Sequence, residues 1–463
     1  MASRGGFTSQ TGFIAAAAGS AVGLGNIWGF PYEVGAGGGA IFVLVYLFFC
    51  FALCFPVMIS EIAIGRKAGR NAVGAFDQLG HKKWNVIGKM GVLCGVLILS
   101  FYNVVAGWSF GYVFEMGAGN FEIANDFGEY IKGIGKVGTY GALFMLATGY
   151  IVSRGVTDGI ERMAKILMPT LIVIILGLVV YALFLPNAID GLKFYLLPDF
   201  SKLSMGVVYN AMGQAFFSLS LGMGALITYG SYVSKENNII TSAMLITLAD
   251  VGIAFIAGLM IFPLIGFISG GELTDVGRGP VLIFVTLPQI FGEIGGASGV
   301  IVGTVFFALL CFAALTSTVS LLEVPVSYLV DEKNMSRKNA TWLVAGVIYA
   351  VGVPSLLGNG YSDFFTSFIT YVGAEAPVDF LSFVVNVAND SLLPLGGCLI
   401  VFFTWHVWKK ENLDEEISIG FEHYDQSFVK KYIHFMLPYL VPIALIIMFV
   451  LTVSSTFFGI QII

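Results

Sequence analysis

The chain has 463 residues, of which 57% are hydrophobic and only 11% charged, with a formal net charge of −6. Soluble domains carry about 25% charged residues, so this composition argues against a soluble protein, and no nucleic-acid partner is expected. It points instead to a polytopic membrane protein. The five cysteines (Cys50, Cys54, Cys94, Cys311 and Cys398) all lie in apolar segments, and five is odd. They read as small apolar core residues rather than a disulfide framework. Residues 1–10 run into a Gly/Ala-rich segment without a small-residue cut site, so no cleavable signal peptide is expected.

A membrane span needs about 20 apolar residues. In chain order the sequence predicts eleven: 11–35, 38–64, 86–116, 138–154, 158–185, 208–233, 240–268, 296–330, 337–357, 379–408 and 430–458. Span one holds Gly19, Gly23, Gly25, Asn26 and Pro31, where a stable spanning helix would carry Leu, Ile or Val. Gly and Pro weaken a helix interior. Backbone freed at membrane depth is tolerated only where it lines a cavity or is buried in protein.

Lys and Arg sort between the loops. With the N-terminus inside, only Lys132, Lys136, Lys193, Lys202 and Arg278 of the 23 basic residues fall outside. That bias places the N-terminus in the cytoplasm and the C-terminus outside. The 117–137 and 186–207 segments are outer loops, and the Gly-rich 267–295 loop is long enough to fold over the outer mouth. The 409–429 segment reads as a solvated cytoplasmic connector.

A second interrupted helix lies in span six, from Gly213 through Ser218, Ser220 and Gly222 to Gly224. Spans one and six each open a set of five. Paired breaks at corresponding positions of two halves indicate an inverted-repeat transporter with a site at the bilayer midplane. The expected fold is therefore an all-α polytopic membrane protein of eleven spans, with broken helices one and six. It forms one domain over 1–463: a first five-helix repeat at 11–185, a second at 208–408, and an extra span at 430–458. Glycines that merely permit close helix packing would suit spans two or eight equally well, and would not explain the accompanying Asn26, Ser218 and Ser220.

Four stretches carry a specific likeness: Ala21 to Tyr32, Glu61 to Arg66, Gln214 to Ala225, and Ala313 to Ser317. In them the chain resembles the neurotransmitter:sodium symporter family, in its bacterial amino-acid branch with eleven spans. The family's leucine transporter is the standard example of broken helices around a midplane site. The resemblance implies two Na⁺ sites built from oxygen ligands. Site one takes the Ala21 carbonyl, Asn26, Ser218 and Asp250, with the substrate carboxylate. Site two takes the Gly19, Val22 and Ala313 carbonyls with Thr316 and Ser317.

Asp250 is an acid inside span seven, and an intramembrane acid is costly and functional by default. Chloride-dependent relatives resemble this stretch but carry Asn at this position and Ser where Ala254 stands. The built-in charge implies transport independent of chloride. The resemblance further places the substrate carboxylate on the Leu24 and Gly25 amides and on Tyr102. Gly23, where monoamine carriers have Asp, implies an α-amino acid. The side-chain pocket is Ser20, Ile98, Phe217, Ser218, Ser220, Met223 and Leu321, which is uncharged and suits a bulky aliphatic or aromatic amino acid. Phe217 and Gln214 would close the site from outside; Arg4, Asp331 and Tyr232 would close it from inside. Glu61 would support the broken helices. One departure stands out: Gly29 occupies the place of the family's outer-gate Arg, so the outer ion pair is absent and its acidic partner in span ten, near Asp390, is not assigned.

No nucleophile–base pair, metal cluster or phosphate-binding loop is visible, so neither an enzyme nor ATP drive is expected. The sequence reads as a Na⁺-coupled symporter of neutral hydrophobic amino acids in a plasma membrane, and specifically a bacterial inner membrane. Its partners are lipid, sodium and substrate. The alternative is an amino-acid-gated channel or non-transporting sensor on the same scaffold.

Overall fold

A computed structural model of the chain describes residues 5–269 and 279–460. It is all-helical; the only β feature among the described residues is an isolated bridge between Ile369 and Val378. Helix occupies every expected span. Eight helices are long and apolar enough to cross a membrane: Ala40–Ala68, Lys82–Gly117, Val156–Leu183, Ile239–Ile268, Gly296–Lys333, Arg337–Leu357, Phe380–Val407 and Phe428–Phe458. The bent pair Gln10–Ala21 and Gly25–Ala36 makes a ninth. Span four is the 20-residue helix Ile134–Ser153. Span six is divided between Met205–Ser218 and Ala225–Gly230. Arg4 and residues 270–278 lie outside the described residues.

Spans three and eight form the spine. They pack on each other more extensively than any other pair, and at 38 residues span eight is about 57 Å long. Span two packs backbone to backbone on the second half of span six. A Cβ on Gly65 would stand 2.0 Å from the Ile227 carbonyl oxygen, and one on Gly230 would stand 2.7 Å from that of Ile62. Small residues permit this approach between helices in a membrane.

The two breaks differ in length. In span one the helix stops at Ala21, turns through Val22 and Gly23, and resumes 53° away. In span six the helix runs unbroken through Gly213 to Ser218, so the break is shorter than the expected Gly213–Gly224 and covers Leu219 to Gly224. Three of its residues have left-handed backbone: Ser220 (φ 54°), Gly222 (φ 82°) and Gly224 (φ 75°). Gly222 is obligatory, since a Cβ there would meet the Leu393 carbonyl oxygen at 2.4 Å. Glu61 bridges the break: its Oε1 accepts the Gly222 N–H at 2.7 Å.

One sequence expectation needs correction. The 409–429 segment is solvated only in part. Its first part is the helix Lys410–Ser418, which buries Leu413, Glu416 and Ile417 against the bundle, and Tyr424 beyond it is buried too. Its acidic composition disguised this, because Glu416 is buried by pairing with cations from two other elements. The 117–137 and 186–207 segments also carry short helices that apolar-run counting misses, including Phe127–Lys132 and Ala188–Leu196.

Candidate functional site

The breaks free backbone carbonyls in the centre of the bundle, and hydroxyls from span eight meet them. Thr316 Oγ1 donates to the Ala313 carbonyl at 2.9 Å and lies 3.3 Å from the Val22 carbonyl oxygen. Ser317 Oγ lies 3.3 Å from the same Val22 oxygen. Gly19 packs on Thr316, where a Cβ would stand 3.2 Å from the threonine Cβ. All five residues of the second expected sodium set thus converge, with four oxygens from spans one and eight. Such oxygens suit a hard cation. Among the described residues no group of three or more His, Cys, Asp or Glu could hold a metal ion.

The first set gathers around Asp250, which is fully buried. Ser218 Oγ lies 3.0 and 2.9 Å from its two carboxylate oxygens, and Asn26 Nδ2 lies 2.7 Å from Oδ1. Asn26 Oδ1 accepts the Gly23 N–H at 3.0 Å, which ties this side chain to the span-one break. Tyr46, which sequence reasoning missed, places its hydroxyl 3.3 Å from both Ser218 Oγ and Asp250 Oδ2. A tyrosine in an apolar span-two run gives no sequence sign of facing span seven. Every contact described for the Asp250 carboxylate comes from a neutral group. A buried carboxylate without a cation is expensive, and the Asp250 and Ser218 oxygens are of the kind that suits a hard cation.

Between the two sets lies a cavity of about 30 Å³. Ser20, Gly25, Ile98, Tyr102, Phe217, Ser218, Ser220, Met223 and Leu321 line it, together with Ala21, Gly23 and Ser317. Leu24 is set back, but its N–H donates to Tyr102 Oη at 2.9 Å. The walls are joined by hydroxyls: Ser220 Oγ donates to the Ser20 carbonyl at 3.0 Å, and Ser20 Oγ to Ser320 Oγ at 2.7 Å. Ser320 was not anticipated; its position one turn beyond Ser317 on span eight was the available signal. Tyr102→Phe removes the acceptor of the Leu24 N–H and a hydroxyl facing the cavity. A hydrogen bond of this kind contributes about 1 kcal/mol, so substrate affinity should fall about five- to tenfold with sodium activation intact. Equilibrium binding of labelled substrate measures it.

Phe217 separates this cavity from a second one of about 340 Å³, which it also lines with Glu33, Gln214, Asn389 and Asp390. Gln214 Nε2 donates to the Gly25 carbonyl at 3.2 Å. Gly29 faces Gln214 across ordinary van der Waals distance, where a Cβ would stand 3.6 Å from Oε1. Asp390 is met by Thr456 Oγ1 at 3.4 Å.

At the other end, Tyr232 donates to Glu323 Oε1 at 2.6 Å, and Arg337 binds both oxygens of Glu323 at 3.1 and 2.5 Å. Asp331 accepts the Asn71 N–H and side-chain amide at 3.0 and 3.1 Å. Its expected partner Arg4 lies outside the described residues. Glu323 was legible by the same rule that singled out Asp250, as an acid inside an apolar span.

The model of the Sodium:neurotransmitter symporter family matches residues 4–122 and 121–458. An uncharacterized sodium-dependent transporter of Bacillus subtilis, YhdH, is 34% identical over 96% of each chain. A further uncharacterized sodium-dependent transporter, from Methanocaldococcus jannaschii, is 33% identical over 89% of this chain and 84% of its own. Among solved structures, MhsT in complex with L-phenylalanine superposes with a TM-score of 0.85. It is 42% identical and the match covers 97% of this chain and 99% of MhsT.

Proposed function

We infer that this chain, which belongs to the sodium:neurotransmitter symporter family, couples the movement of sodium to that of a neutral, hydrophobic α-amino acid. The observation that carries this reading is the buried carboxylate of Asp250, held by Ser218, Asn26 and Tyr46 and facing no described cation. Sodium bound there balances the charge and ties span one to spans six and seven. A second sodium among the oxygens of Val22, Ala313, Thr316 and Ser317, with Gly19 alongside, ties span one to span eight. Because the fixed negative charge is part of the chain, chloride is not needed.

Substrate lies in the cavity between the ions, its carboxylate at Tyr102 and the Leu24–Gly25 turn. Gly23 leaves no side chain to compete with that carboxylate. Ile98, Met223, Leu321 and Phe217 take the substrate side chain, and the absence of charge among the cavity's lining residues disfavours acidic and basic amino acids. That MhsT was solved with L-phenylalanine supports an aromatic or large aliphatic substrate. Spans one to five and six to ten act as inverted repeats around this site, in a bacterial inner membrane, with the N-terminus cytoplasmic. Phe217 and Gln214 close the outer side; Tyr232, Asp331 and Arg4 close the inner side.

Labelled phenylalanine and leucine, offered to the purified protein in sodium, lithium and choline gluconate, test this. Binding in sodium alone, competed by neutral hydrophobic amino acids and indifferent to added chloride, is expected. Equal binding in choline, or competition by glutamate or lysine instead, would overturn the assignment.

A further inference from the structure

The helix Lys410–Ser418 between spans ten and eleven carries a fully buried carboxylate, Glu416. Arg66, at the end of span two, donates from Nε to Glu416 Oε1 at 2.7 Å, and both side chains are completely buried. A second Arg66 nitrogen donates to the Glu416 carbonyl, and a third to the Asn237 carbonyl at 2.5 Å. Lys235 reaches both Glu416 oxygens at 3.0 Å. One carboxylate thus binds cations from span two and from the 231–238 connector between spans six and seven.

Neighbouring contacts extend the joint. Asn238 Nδ2 donates to the Gly420 carbonyl at 3.0 Å. Gln10, at the start of span one, donates to the Asn238 carbonyl at 3.3 Å and to Ser242 Oγ at 3.0 Å. The 231–238 connector is therefore held on one side by the ten–eleven helix and on the other by the root of span one. It follows directly on Ala225–Gly230, the half of span six that leaves the break at the candidate substrate site. Span two already packs tightly on that half through Gly65 and Gly230. Arg66 and Glu416 continue this contact to the inner surface of the protein.

We propose that Glu416 is a positioning residue for transport, which clamps span two and the second half of span six together so that they move as one body when the inner side opens. The proposal rests on the transport reading above. A clamp distant from the substrate cavity governs how fast the inner side opens and closes, not how tightly substrate binds. Arg66, Lys235 and Glu416 line neither the substrate cavity nor the two sodium sets.

The test uses the full-length protein in lipid nanodiscs and liposomes. Glu416→Gln alone leaves the buried Arg66 guanidinium without its carboxylate and is expected to fold poorly. The double variant R66M/E416M replaces the pair by apolar side chains of similar volume, a change buried ion pairs often tolerate, although it also removes the Arg66 bonds to the Asn237 and Glu416 carbonyls. K235Q removes the half-exposed second cation and leaves the core untouched. For R66M/E416M, substrate affinity in sodium should stay within about twofold while the maximal uptake rate falls about tenfold. Amide exchange in residues 5–12 and 230–242 should quicken about tenfold. K235Q should shift rate and exchange about threefold in the same directions. Wild-type uptake in R66M/E416M overturns the proposal, as does loss of affinity and rate in equal proportion, which marks a merely structural pair. If the wild-type protein accumulates no amino acid, the transport reading fails; the exchange measurement still decides whether Glu416 holds the connector, and unchanged exchange overturns it.

Discussion

Asp250→Asn should leave the protein folded and weaken sodium activation of substrate binding by about 100-fold, equivalent to about 2.7 kcal/mol. The substitution is nearly isosteric, and Ser218, Asn26 and Tyr46 can still bond to an amide. What it removes is the negative charge. In a fully buried site the attraction between that charge and a cation is far larger than in water, and the neutral oxygens of Asn26 and Ser218 replace little of it. Sodium titrations of labelled-substrate binding, in chloride and in gluconate, read the effect. Lost sodium activation in both anions, or activation that has come to require chloride, follows from moving the charge out of the chain. Unchanged sodium activation in gluconate would show that Asp250 is only a structural hydrogen-bonding group.

The second large effect is steric. A Cβ at residue 23 would stand 2.5 Å from Ser317 Oγ and 2.7 Å from Tyr102 Oη. Gly23→Ala therefore pushes apart one hydroxyl of the second sodium set and the hydroxyl assigned to the substrate carboxylate. Overpacking of this kind costs about 1–3 kcal/mol, so both substrate affinity and sodium affinity should fall, by about 5- to 150-fold. Gly29→Ala is the control on the same broken span. Its added carbon meets Gln214 at 3.6 Å and should change either affinity less than twofold. Equal effects from the two alanines would contradict the geometry of the break.

Much of this was legible in the chain. Apolar runs located the eight long apolar helices and the bent pair of span one, because a segment in hydrocarbon must be apolar and satisfy its own backbone. The breaks were legible for the converse reason, since glycine, Asn and Pro at membrane depth need a polar purpose. Less legible was the extent of the span-six break. Gly213 sits comfortably in a helix, and the interruption begins only where Ser220, Gly222 and Gly224 take left-handed backbone.

Groups that act through tertiary contact were hidden. Tyr46 reaches Asp250 from an apolar run whose pattern says nothing of its neighbour. Glu416 sits in a string of acids that reads as surface, and only the folded chain brings Arg66 and Lys235 to it. The absent Arg at Gly29 leaves Glu33 and Asp390 beside the larger cavity. Its lining residues, as far as they are described, include no basic side chain, and Phe217 and Gln214 remain to divide it from the smaller cavity.

The central claim is that this geometry uses a sodium gradient to move an amino acid. Proteoliposomes with an inward sodium gradient, supplied with labelled phenylalanine, test it most directly. Accumulation above the external concentration, collapsed by a sodium ionophore and unaffected by replacing chloride with gluconate, is the predicted result. Binding without accumulation, or ion flux that amino acid switches on without concentrating it, would contradict it and assign the scaffold to sensing or gating instead.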